Sequence, residues 1–123
     1  MSYESTPYLF ADAYGFKRLY RSRGEARVGR VLDQYGIPFE HERERIIFAD
    51  GRLRAWHPDF SLPKHGNRVV EYAGMLDRPD YRASMHYKDR VYRENGIPAM
   101  FVLPEDLQRR DWPDWLLRQI KRD

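Results

Sequence analysis

The tripeptide Gly-Ile-Pro occurs twice, at 36–38 and at 96–98, each time after a stretch with helical apolar spacing. Glycine reaches the left-handed conformation that closes a helix, and a proline two residues on cannot continue one. Two helices are therefore stopped at fixed points, and the echo is shared stop chemistry rather than an internal repeat. Before the first stop, Val28, Val31, Leu32 and Tyr35 recur at i, i+3, i+4 and i+7, so a helix opens at Gly24-Glu25 and closes at Gly36. Before the second, Tyr81, Met85 and Tyr92 share one face of a longer helix running from Asp80 to Glu94.

Between the stops the period falls to two. From Phe39 to Phe48, Glu40, Glu42 and Glu44 alternate with His41, Arg43 and Arg45, which predicts one long, largely solvated strand. Asp50-Gly51 is a hairpin turn, and a second strand follows through Leu53, Ala55 and Trp56 to Asp59-Phe60. Pro63 to Asn67 turn again, and Val69 to Ala73 form a third strand. Beyond the second stop, Ala99 to Leu103 reads as a buried strand, Pro104-Glu105-Asp106 starts a short helix, and Trp112 to Lys121 forms a last one with Trp115, Leu116 and Ile120 inward. Residues 1–16 carry aromatics without clear periodicity and read as an arm, with a helical turn at most. The expected fold class is α/β, in the order αβββαβ with an extra C-terminal helix and a mixed central sheet flanked by helices. One domain, 1–123, is expected, made of an aromatic and basic arm (1–23), a core (24–103) and C-terminal helices (104–123).

With 41% hydrophobic and 15% aromatic residues in 123, the chain is too apolar for a disordered one. No apolar run approaches the ~18 residues that cross a membrane, and Met-Ser-Tyr-Glu-Ser has no charged stretch leading into an apolar one, so no secretory leader is expected. The absence of cysteine excludes disulfides, thiolate metal sites and cysteine nucleophiles, and a cytoplasmic protein is expected. The net charge of +3 is modest but uneven. Lys17, Arg18, Arg21, Arg23, Arg27 and Arg30 face only Glu25 within 17–30. That excess suits a phosphate backbone, although a solvated basic face has the same composition.

Three acids stand out by position. Glu25 lies in the first turn of helix one, where it either favours the helix dipole or serves a site. Asp59 closes strand two after Pro58, as a turn former or a ligand. Glu71 sits within Val-Val-Glu-Tyr-Ala, where a buried carboxylate without partners is costly. A strand that ends in Pro-Asp, followed by an acid in the neighbouring strand, brings two carboxylates together. Hard oxygen ligands of this kind suit Mg²⁺ or Mn²⁺. His41, His65 and His86 show no metal-ligand spacing, His57 beside Pro58 reads as a surface histidine rather than a base, and Trp112 with Trp115 reads as core or interface.

An αβββαβ order with a helix-one glutamate, Pro58-Asp59 at a strand end and Glu71 in the next strand resembles the PD-(D/E)xK nuclease superfamily, over roughly Gly24 to Leu103. That superfamily usually carries a lysine two residues after the glutamate, where this chain has Ala73. Some branches draw the lysine from the following helix instead. At ~100° per residue, Lys88 falls inside the Tyr81/Met85/Tyr92 stripe, either as the replacement or as a lysine that snorkels to water. Lys64, in the turn after Asp59, is its rival, with a loop setting better suited to DNA contact.

The resemblance implies a Mg²⁺-dependent endodeoxyribonuclease, with Mn²⁺ able to substitute. Asp59, Glu71 and the Tyr72 carbonyl are its expected ligands, Glu25 contributes directly or through water, and Lys88 completes the catalytic set. Lys17, Arg18, Arg21, Arg23, Arg27 and Lys64 are the expected DNA contacts. In size, and in the basic segment leading into a Gly-Glu helix start, the chain is similar to the compact Holliday junction resolvases of archaea and phages. A homodimer acting on branched or junction DNA, away from membranes, is therefore expected. A restriction-type or mismatch-nicking endonuclease is one alternative. A non-catalytic nucleic-acid-binding subunit with the same fold is another, favoured by the missing in-strand lysine.

Overall fold

The computed structural model describes residues 8–11 and 17–122, with side chains from Tyr20 to Arg122. The chain packs as two compact units that meet in sequence at Pro38 and Phe39, the proline being that of the first Gly-Ile-Pro.

In the first unit, β1 (Tyr8–Ala11) pairs antiparallel with β2 (Lys17–Tyr20), Tyr8 standing opposite Tyr20. The described parts of the expected arm thus form a hairpin and not a helical turn; residues 1–7 and 12–16 lie outside the described residues. Helix α1 (Arg23–Gln34) follows directly, and the Ser22 hydroxyl caps it by accepting the Glu25 N–H at 3.1 Å. Gly36 takes a φ of +67° and the Ile37 N–H returns to the Leu32 carbonyl at 2.9 Å, the stop expected there. Gly29 has a role that periodicity does not reveal: a Cβ there would stand 2.3 Å from the Tyr20 hydroxyl. Only a bare backbone lets Tyr20, itself 1% exposed, lie against this helix.

The second unit contains β3 (Glu40–His41), β4 (Arg45–Ala49), β5 (Arg52–Trp56), β6 (Phe60–Leu62), β7 (Arg68–Tyr72), α2 (Pro79–Glu94), β8 (Ala99–Val102), a single 3-10 turn at Asp106–Gln108, and α3 (Trp112–Ile120). Four strands form one sheet in the order β3-β6-β7-β8, in which β7 and β8 are parallel and the other pairs antiparallel. The architecture is mixed α/β with a mixed sheet and, counting α1, three α-helices among the described residues. Phe60, Leu62, Val69, Val70 and Val102 are fully buried, which explains the apolar runs in their strands.

The single strand expected from Phe39 to Phe48 is instead broken. β3 ends at His41, Glu42 turns left-handed with a φ of +55°, and β4 resumes at Arg45. The pairing register is the same on both sides of the break, so Arg43 stands opposite Pro58. Proline has no N–H to give to a ladder. Alternation along one strand cannot register a defect in its partner. Beyond the break, β4 and β5 form a separate two-stranded ribbon closed by Asp50 and Gly51, both at positive φ as a two-residue hairpin turn requires. Ile47 and Ala49 pack inward on Val91, with Trp56, Tyr87 and Ile97 around them, while Ile46, Phe48 and Leu53 remain exposed on the other face.

Candidate functional site

The same break builds the site. Released from the β3 ladder, the Asp59 N–H turns to β7 and donates to Glu71 Oε1 at 3.0 Å, while the Asp59 carbonyl still accepts the Glu42 N–H at 3.1 Å. In return the Tyr72 N–H donates to Asp59 Oδ2 at 2.8 Å. The two carboxylates are thereby held side by side by a reciprocal pair of backbone donors. Charge-assisted bonds of this kind are shorter and stronger than neutral ones.

Helix α2 supplies two more donors to the other Glu71 oxygen. Lys88 and Tyr92 are four residues apart and share a helix face. The Tyr92 hydroxyl donates to Oε2 at 2.7 Å, and Lys88 Nζ donates to the same oxygen at 3.3 Å. Glu71 is 2% exposed, so an ionised carboxylate there depends on these partners. The Lys88 side chain keeps 34% of its surface in contact with solvent, so its ammonium links a buried anion to the outside. Tyr92 is 1% exposed, with the Trp56 ring edge-on at 5.4 Å. Burial first, and then the neighbouring Glu71 carboxylate, push its hydroxyl well above the ordinary tyrosine range. It therefore remains a donor at any physiological pH.

The loop after β7 is shaped by Gly74, where a Cβ would meet the Tyr72 ring at 2.9 Å. The Gly74 N–H donates to the Tyr81 hydroxyl at 3.2 Å, which fixes the start of α2 against the end of β7. Ala73 is 1% exposed and lines a cavity of about 240 Å³ with Leu76, Met85, Phe101 and Leu103 on its apolar side.

Of the residues singled out in the sequence, Asp59, Glu71, the Tyr72 backbone and Lys88 converge within hydrogen-bond range. Lys64 lies in the turn between β6 and β7, at the opposite end of both strands from Asp59 and Glu71. Glu25 is described within the first unit, in the first turn of α1, with 4% exposure. Arg21, Arg23 and Arg27 are exposed there. Lys17 and Arg18 belong to β2, opposite Ala11 and Phe10, with side chains outside the described residues. His57 and His86 are exposed, and His41 and His65 are partly buried. The hydroxyl of Tyr92 is the donor that sequence reading passed over, because an aromatic in a helical stripe reads as core; its spacing from Lys88 was the available signal.

The donor set fits a small divalent cation. An ionised carboxylate offers about four lone-pair sites, and the three donors on Glu71 leave one for an ion. The N–H and carbonyl of one strand residue point to the same side, so the Tyr72 carbonyl shares the side on which its N–H reaches Asp59. Three hard oxygens of this type suit Mg²⁺ or Mn²⁺ and not a soft metal. No family model, no curated protein and no solved structure matches the chain.

Proposed function

We propose that this chain is a metal-dependent DNA endonuclease of the PD-(D/E)xK type. The observation that carries the reading is the clamp just described: Asp59 and Glu71 locked together through each other's backbone, with the Lys88 ammonium on Glu71. Asp59, Glu71 and the Tyr72 carbonyl would hold Mg²⁺ or Mn²⁺. When bound, the ion supplies Lewis acidity toward the scissile phosphate and lowers the pKa of a water. Tyr92 keeps the Glu71 carboxylate in one rotamer. Lys88, at the solvent side of Glu71, orients the attacking water or stabilises charge developing on the phosphate. Arg21, Arg23, Arg27 and Lys64, with Lys17 and Arg18, contact the backbone of the substrate.

The substrate in this reading is branched DNA, cut by a homodimer whose two sites act on opposed strands. A second reading, a nucleic-acid-binding subunit without catalysis, draws on Ala73 in place of the strand lysine and on a Lys88–Glu71 pair that serves structure alone. A panel of junction, flap, mismatched and linear duplexes, incubated with Mg²⁺, separates these. Preferential cutting of the junction supports the proposal, and preference for the mismatch or for linear duplex favours the mismatch-nicking or restriction-type alternatives. Tight binding to the panel with no cutting of any member favours the binding subunit.

A further inference from the structure

A concentration of positive charge lies away from the carboxylate pair. The turn between β6 and β7, the residue before β8 and the end of α3 enclose a pocket of about 300 Å³, into which Lys64, Arg68, Lys121 and Arg122 project. Pro98 and Ile120 form its apolar wall, and His65 and Gly66 complete the turn side. Elsewhere in this unit, Arg43, Arg54, Arg90, Arg93 and Arg118 each sit against a carboxylate, while Arg45, Arg78 and Arg82 bond uncharged acceptors. The four pocket cations have no carboxylate partner among the described residues. Arg122 donates instead to the neutral Gln119 side chain at 3.4 Å, and Arg68 to the Arg122 carbonyl at 2.6 Å. Arg68 Nε is fully buried and has no hydrogen-bond partner among the described residues.

Four like charges around one cavity repel one another, and an unsatisfied buried guanidinium N–H adds a desolvation cost. An anion removes both penalties. Phosphate is the anion whose geometry a guanidinium and ammonium groups jointly match, the first by its planar fork and the others as point charges. We propose that this pocket binds a backbone phosphate of nucleic acid, as a contact point separate from the Asp59–Glu71 site. The proposal rests on the nuclease reading for nucleic acid as the ligand and for Lys64 as a backbone contact, and adds Arg68, Lys121 and Arg122 as one phosphate pocket with it; its test involves no cleavage.

Binding of a short fluorescein-labelled duplex to the full chain is measured by anisotropy in EDTA, from about 50 to about 200 mM salt. The double variant Lys64→Gln/Lys121→Gln is expected to weaken binding and to lower the log–log salt slope by about 0.9, the step for the one phosphate the pocket holds. Arg122→Gln, just beyond the end of α3, is expected to lower it by at most that step. Removing two exposed charges elsewhere, Arg52→Gln/Arg110→Gln, should leave the slope near that of the wild type. Equal slopes for all variants overturn the proposal, as does an equal fall in the Arg52/Arg110 control, which would mark a diffuse field. Thermal stabilisation by inorganic phosphate that the pocket variants abolish, with the duplex slope unchanged, would assign the pocket to small phosphates and likewise overturn it.

Discussion

Glu71 is a buried anion whose ionised form is held by three separate donors, and each donor has its own signature. Tyr92 gives Oε2 its shortest bond, 2.7 Å. A hydrogen bond to a charged group is worth about 1.5–3 kcal/mol, so Tyr92→Phe, which keeps the ring packing against Trp56, should cost roughly that much in urea unfolding at neutral pH. The pH dependence follows from the raised hydroxyl pKa. Above the ordinary value of 10.0, an unfolded tyrosine has lost its proton while the buried Tyr92 keeps it. The folded state then binds more protons than the unfolded one, and its stability falls as pH rises. Wild type should lose about 1.4 kcal/mol per pH unit more than Tyr92→Phe above that point. Parallel curves for the two proteins would show that Tyr92 titrates freely. Lys88 differs in being about one-third open to water. Lys88→Met keeps most of the stem packing and removes the charge, so it should lower DNA cleavage by about 10²–10³-fold with little change in unfolding free energy. A variant that cuts within a few-fold of wild type would reduce the lysine to a surface partner of Glu71.

At the scale of elements, Asn95 ties the β4–β5 ribbon to α2, beside the packing of Ile47 and Ala49 on Val91 and the Tyr87 hydroxyl that donates to Asp50. Asn95 receives the Phe48 N–H on Oδ1 at 2.9 Å and returns Nδ2 to the Phe48 carbonyl at 2.9 Å, as a neighbouring strand residue would. Its Nδ2 also caps the helix by donating to the Val91 carbonyl at 2.8 Å. Asn95→Ala removes these bonds and should destabilise the protein by about 0.5–1.5 kcal/mol, with the Phe48 amide exchanging its hydrogen faster than those of β7. Unchanged exchange at Phe48 would mean that the packing around Val91 and the Tyr87–Asp50 bond hold the ribbon without Asn95. In the sequence, Asn95 reads only as part of a helix stop. Both stops were legible there, because Gly36 and Gly96 take the positive φ their position demands. The strand carrying Glu71 was legible too, through its run of β-branched and aromatic residues. The break at Glu42 was not. It is caused by Pro58 across the ladder, and a pattern read along one strand carries no information about which residue will stand opposite. The hairpin of β1 and β2 escaped for a related reason: its pairing, Tyr8 with Tyr20, links residues that show no alternation of their own.

For the whole molecule, a net charge of +3 is too small to mark a nucleic-acid-binding protein; where the charges stand matters more. Arg23, Arg27 and Arg30 stand on α1 and four cations line the pocket beside β7, while Lys88 lies on the carboxylate pair. No helix among the described residues is long and apolar enough to cross a membrane. Paired cuts on a junction require two sites related by symmetry, so sedimentation without DNA, at micromolar concentration, should show a dimer. Monomer alone would remove the junction from the proposal while leaving the chemistry of one site untouched. The arrangement of that site was partly legible in the sequence. Pro58-Asp59 and Glu71 could be paired because strand order and turn lengths brought them level. Their clamp through reciprocal backbone donors could not be read, since it depends on an N–H released by a break in a different strand pair.

The central claim is that Asp59 and Glu71 together hold a catalytic divalent ion, and nicking of supercoiled plasmid tests it most directly. Asp59→Asn and Glu71→Gln preserve shape and remove only the charge a cation needs. Wild type is expected to nick with Mg²⁺ or Mn²⁺ and not in EDTA. Each variant should lose at least ~10²-fold in rate while binding the plasmid in EDTA as wild type does. Metal-independent nicking by wild type, or nicking by either variant at the wild-type rate, would contradict the account.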